Sequence, residues 1–145
     1  MLLYKNQCFQ THSVSFRLPD GVYLNSAPEL QLENGLEYQV PEDGFSISIE
    51  VGASGGTASE VFQEVLESHT ALSEVLPVQA GGLEGFYLIY CSSFNGHIEF
   101  HFDLGEEDGE PQALSILLQS DDPETVGELL HHPALTSLLD SLQAI

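Results

Sequence analysis

Cations are almost missing from this chain. Only Lys5 and Arg17 are basic among 145 residues, against 23 acidic ones, and the formal charge is −21 at pH 7. Phosphate backbones are held by Lys and Arg, so nucleic-acid binding is excluded as a function. Docking on anionic membrane surfaces falls by the same argument. With so few cations to pair with, most carboxylates must face water and repel one another, which makes stability depend on salt. A basic partner surface would be steered in by the same field. Ordered carboxylates can also imitate phosphates in a DNA-mimic inhibitor, but the acids here are dispersed in sequence.

Cysteine is scarce as well. Cys8 and Cys91 are too few for a disulfide framework, and Cys91, set among apolar residues, reads as a buried free thiol. No apolar run has the length of a signal peptide or a membrane span, and a cytoplasmic protein is expected. A GxSxG nucleophile motif is missing, and neither Cys91 nor any Ser has an identifiable base. The chain therefore reads as a non-enzyme without a cofactor. Gly81-Gly82 with Gly85 lacks the Lys and the strand-to-helix context of a phosphate loop. These glycines are expected to turn the chain tightly into the next strand. The acidic run Glu106, Glu107, Asp108, Glu110 lacks the spacing of a calcium loop and reads as a solvated turn.

What is present is enough apolar material for one core. Hydrophobic residues make up 42% and aromatics 9%, a globular composition, and the length is that of one domain spanning residues 1–145. The organising stretch is Gly81 to Leu104. Phe86 to Cys91 is apolar throughout, as in a strand covered on both faces. After Asn95-Gly96, read as a two-residue hairpin turn, Ile98, Phe100, Phe102 and Leu104 alternate with His97, Glu99, His101 and Asp103.

The rest follows in order. Val14, Phe16 and Leu18 alternate as a strand ended by Pro19-Asp20-Gly21. Leu30 and Leu32, the turn Asn34-Gly35, then Leu36, Tyr38 and Val40 read as a second hairpin. Phe45, Ile47, Ile49 and Val51 alternate with Ser46, Ser48 and Glu50 as a strand with one wet face. Thr57 and Glu60 form a capping box, and Val61, Phe62, Val65, Leu66, His69 and Leu72 recur at helical spacing, predicting a helix to about Val75. Ala113 to Gln119 is another strand. Asp122-Pro123 opens a helix through Val126, Leu129 and Leu130, restarted or kinked at Pro133 and ending in an amphipathic segment to Leu142. Short hairpins imply an antiparallel sheet, so the expected class is α+β with helices packed on the sheet faces.

This order of elements, with Leu18 to Gly21 after the first strand, a capped central helix and Gly81-Gly82-Leu83-Glu84-Gly85 before the hairpin, resembles the PsbP-like α/β/α sandwich group. That group includes the Ran-binding import factor of yeast and bacterial DcrB-like proteins. The resemblance rests on element order rather than a signature motif. It implies a twisted antiparallel sheet without catalytic machinery and a protein-binding mode, with no partner specified.

One sheet face draws the functional expectations. A two-residue hairpin would set Phe94 opposite His97, Ser92 opposite Glu99, Tyr90 opposite His101 and Leu88 opposite Asp103. Tyr90, Phe94, His97, Glu99 and His101 are then the candidate partner- or ligand-binding residues, the alternative being a solvated polar face. Metal ligands must converge at about 2 Å from one point. His97 and His101 stand roughly 13 Å apart along a strand, so a shared ion would need a further ligand from elsewhere, and no metal is expected. His131-His132 is expected to cap the carbonyls at a helix C-terminus. The leading expectation is a non-enzymatic protein-binding module of adaptor, chaperone or immunity type. Its partner would carry a basic or apolar surface and meet an exposed apolar patch on the sheet or at a homodimer edge. The second expectation is a small-ligand or metal-binding protein using His97, Glu99 and His101.

Overall fold

Alternating apolar residues put one side of the longer strands into a shared core. The computed structural model describes residues 3–5, 8–19, 22–24 and 35–145, with side chains outside 3–5 and 23–24. The strands are β1 (Leu3–Lys5), β2 (Cys8–Gln10), β3 (Val14–Arg17), β4 (Tyr23–Leu24), β5 (Gly35–Val40) and β6 (Phe45–Ala53). They continue as β7 (Thr70–Ala71), β8 (Leu76–Ala80), β9 (Leu83–Cys91), β10 (Gly96–Glu107), β11 (Glu110–Ser120) and β12 (Gln143–Ala144). The α-helices are α1 (Ala58–Ser68) and α2 (Pro133–Ser141). The larger sheet runs β4-β5-β6-β11-β10-β9-β7, with β8 also on β9, and the smaller runs β1-β2-β3-β12. Every described strand pair is antiparallel.

The core joins both sheets. Ile47 and Ile49 of β6, Leu114, Ile116 and Leu118 of β11, and Ile98, Phe100 and Phe102 of β10 share one apolar cluster with Phe9 and Phe16 of the small sheet. Leu135 and Leu138 of α2 complete it, and Tyr38 Oη donates to Ala134 O at 3.1 Å, tying β5 to that helix. Each such side chain stabilises the fold by about 1.5–3 kcal/mol on leaving water.

The expected α+β sandwich is not what the chain builds; the fold is mainly β, a large antiparallel sheet with a smaller one. Two parts of the helical expectation fail. The helix after Thr57 keeps its capping box but ends at His69, which is extended at φ −131°, ψ 164°. Leu72 N then bonds to Ile89 O (2.8 Å), so the chain that helical spacing would have carried to Val75 lies along β9. The segment after Pro123 forms a 3₁₀ turn over Val126–His131, and only Pro133 starts an α-helix, of 9 residues. The two helices that remain, of 11 and 9 residues, are a small part of the chain beside the two sheets.

The hairpins also differ from expectation. Cys91 pairs with Gly96, leaving a four-residue loop in place of the Asn95-Gly96 turn. Ser92 Oγ accepts from Asn95 N at 3.1 Å and shapes that loop. Gly96 lies inside the strand, where a Cβ would overlap the Val126 side chain. True two-residue turns with both φ positive sit at Gly81-Gly82 (57° and 84°) and Asp108-Gly109 (54° and 79°), the I′ pattern that matches strand twist. The Gly81-Gly82 turn fits the sequence reading, and the acidic run is the exposed turn expected of it, closing the β10–β11 hairpin. The expected strand through Leu30 and Leu32, the Asn34 turn and the Asp20-Gly21 turn lie outside the described residues.

Candidate functional site

Because β9 and β10 are paired four residues away from the expected register, the outward-facing neighbours change while the faces stay the same. His97 stands opposite Tyr90, Glu99 opposite Leu88, and His101 opposite Phe86. Phe94 is not among them. It sits on the loop, 82% exposed. Nor is this face solvated. Phe62, buried at 1% exposure, comes down from α1 onto Leu88 and Tyr90, and its ring meets His101 edge-on at 6.4 Å. The helix is pinned there by its cap: Thr57 Oγ1 accepts from Glu60 N, and Glu60 Oε1 accepts from Thr57 N.

Two arrangements result. Under the C-terminal end of α1, Tyr90 and His97 stack at 4.8 Å, and His69 stands edge-on to both rings at 5.1 and 5.8 Å. Tyr90 Oη donates to Glu99 Oε1 at 2.8 Å. Burial lifts the Tyr90 phenol far above its usual range, with the Glu99 charge adding to it. Burial raises the Glu99 carboxyl as well, against the opposing pull of the Tyr90 hydrogen bond. Burial holds His97 below the ordinary imidazole range, and the neighbouring His69 pushes the same way. His97 Nδ1 is the buried side-chain polar atom without a partner among the described residues. No three His, Cys, Asp or Glu side chains among the described residues converge as metal ligands, and Ser68 Oγ lies 2.9 Å from His69 Nδ1 at the cluster's exposed edge. It is a packed polar network.

The second arrangement is open. Between the start of α1 and the β8–β9 hairpin lies a cleft of about 580 Å³, lined by Thr57, Ser59, Glu84, Phe86, His101 and Asp103 among others. His101 is only 5% exposed. Burial lowers its pKa, and Asp103 partly opposes the shift. The cleft shares Ser59 and Phe86 with a second, apolar one of about 350 Å³ lined by Phe62, Leu66 and Val75. Leu66, Val75 and Phe86 are large apolar side chains left exposed. Together the two clefts make one groove along α1, polar and acidic at one end, apolar at the other.

The architecture compares with solved structures. It is similar to LpqN. That protein, involved in cell envelope biogenesis in Mycobacterium tuberculosis, superposes with a TM-score of 0.60 at 13% identity, over 90% of this chain and 82% of LpqN. A Bacteroides thetaiotaomicron protein gives 0.49 at 14% identity, over 91% of this chain and 45% of its own. The LpqN likeness shows a shared β-rich fold. No family model matches the chain, and no curated protein matches it by sequence. No helix among the described residues is long and apolar enough to cross a membrane.

Of the residues expected at the site, Tyr90, His97 and Glu99 come together beneath α1, His101 faces the groove, and Phe94 stands apart. Leu66, Val75 and Phe86 went unread, the first as part of an over-long helix face, the second as that helix's end and the third as interior strand. The Gly-Gly doublet at 81 and 82, a hairpin signal between two apolar runs, marks β8 and hence the groove's far wall. His132 also serves differently from expectation. Its Nδ1 accepts from Ala134 N at 3.0 Å, capping the N-terminus of α2, while Nε2 lies 2.7 Å from Asp43 Oδ2.

Proposed function

We propose that this chain is a non-enzymatic protein-binding module, of adaptor, chaperone or immunity type, that engages its partner in the groove along α1. The observation that carries this is the exposure of Leu66, Val75 and Phe86 around one apolar cleft. Each covers surface that a folded monomer gains nothing by leaving wet, and a grouped apolar patch marks interaction sites. The resemblance in element order to the PsbP-like group, DcrB-like proteins included, supports the same mode of action without naming a partner. A cytoplasmic setting, in which Cys8 and Cys91 remain free thiols, belongs to the reading.

The test is affinity capture from the native host with immobilised protein, followed by reconstitution of the captured partner in purified form. Leu66→Ser with Phe86→Ser, both on exposed positions, should weaken the reconstituted complex at least about tenfold, a loss of ~1.4 kcal/mol, without changing the circular dichroism spectrum. A partner held equally by the double variant, or none held at any salt concentration, would refute the groove as the binding site.

A further inference from the structure

The groove's two ends specify opposite chemistries. At the apolar end, Phe62 floors a cleft walled by Leu66, Val75 and Phe86. At the other, Glu84, Asp103 and Glu106 line the larger cleft, and among the described residues no Lys or Arg lines it. Two of these carboxylates are fixed locally, Glu84 by Gln79 Nε2 at 3.1 Å and Asp103 by Gly105 N at 2.9 Å. Between the ends stands His101. It is more than nine-tenths buried, packs edge-on against Phe62 and lines the cleft.

We infer that the groove takes an extended basic and apolar peptide segment of a partner protein, an aliphatic side chain entering the Phe62–Leu66–Val75–Phe86 end and a neighbouring Lys or Arg reaching Glu84, Asp103 and His101. This rests on the protein-binding reading above and specifies the partner's chemistry. A neutral imidazole accepts one N–H of the incoming cation while the carboxylates balance its charge. The −21 charge of the whole chain steers the same class of segment toward the groove and speeds its association at low salt. An acidic segment meets repulsion at every step.

Three synthetic peptides decide it: acetyl-Gly-Leu-Lys-Leu-Lys-Gly-amide, the same with Glu for both Lys, and the same with Ser for both Leu. They are titrated into ¹⁵N-labelled protein by NMR, with the His101 ring nitrogens observed directly. The Leu-Lys peptide should shift Phe86, Leu66 and the His101 ring together, and the two controls should bind at least about tenfold more weakly. Glu84→Gln with Asp103→Asn, both replaceable without disturbing the core, should weaken the Leu-Lys peptide and leave the fold intact. Equal binding of the Glu peptide in the groove overturns the basic specification while leaving the groove as a protein-binding site. Shifts confined to another face, or none up to millimolar peptide, overturn the inference, and the capture experiment then judges the binding reading independently. Self-association that Phe86→Ser abolishes in the absence of peptide makes a second copy of this chain the occupant and also overturns it.

Discussion

Tyr90 and Glu99, diagonal neighbours on adjacent strands, share a 2.8 Å hydrogen bond beneath α1. A carboxylate covered by a helix loses hydration, and one phenol restores only part of it. The Glu99 carboxyl is accordingly raised above its ordinary value of 4.5. A raised acid holds its proton longer in the folded state, so its contribution to stability falls as pH rises through the folded value. Glu99→Gln keeps an acceptor for Tyr90 and removes the charge. Thermal unfolding should show the variant gaining on the native protein between pH 4.5 and 7, and a constant gap would mean that Glu99 titrates normally.

His97 and His101 titrate with the opposite sign. Both are held below the ordinary value of 6.5 by burial, so the unfolded chain binds protons that the folded chain refuses. Their contribution is complete above about pH 6.5 and is lost as pH falls below it toward the depressed folded values. His69 just past α1 and Tyr90 from β9 pack against His97, while Asp103 partly offsets the shift at His101. His97→Gln should flatten the stability profile between pH 6.5 and 5. Proton NMR should find both imidazoles titrating below 6.5; midpoints above it would contradict the burial.

Glycine at two turns separates strain from collision. At Gly81, φ is +57° and a Cβ would run into the Leu142 carbonyl, where β12 passes. At Gly109, φ is +79° with open space around it. Gly109→Ala should cost about 1–2 kcal/mol, the left-handed penalty alone. Gly81→Ala should cost more, because the Leu142–Gln143 backbone must also move. Denaturant unfolding of the two variants provides the comparison, and equal losses would argue against the close approach.

Much of the strand pattern was legible because period-two alternation survives any register. Phe45 to Val51, Ile98 to Phe102 and Val14 to Phe16 each put the expected residues inside. Register was not legible. Asn95-Gly96 carries the chemistry of a tight turn, yet the Ser92 hydroxyl ties a wider loop and Gly96 begins the strand close against Val126. Since the slip is even, His97, Glu99 and His101 kept their face and changed only their neighbours. The helix overrun has a similar cause: Leu72 fits helical spacing, but the β9 edge offers it backbone partners that helix propensity cannot match. The class expectation weakened with it, since the chain after Ser68 leaves the helix for the two-residue β7 and a turn beside β9.

The groove is the central claim, and site-specific photo-crosslinking tests it most directly. Benzoylphenylalanine placed at Leu66 should crosslink to the reconstituted partner, while the same group at Ser137, exposed on α2, should not. Crosslinks from Ser137 with none from Leu66 would move the binding surface off the groove and contradict the account.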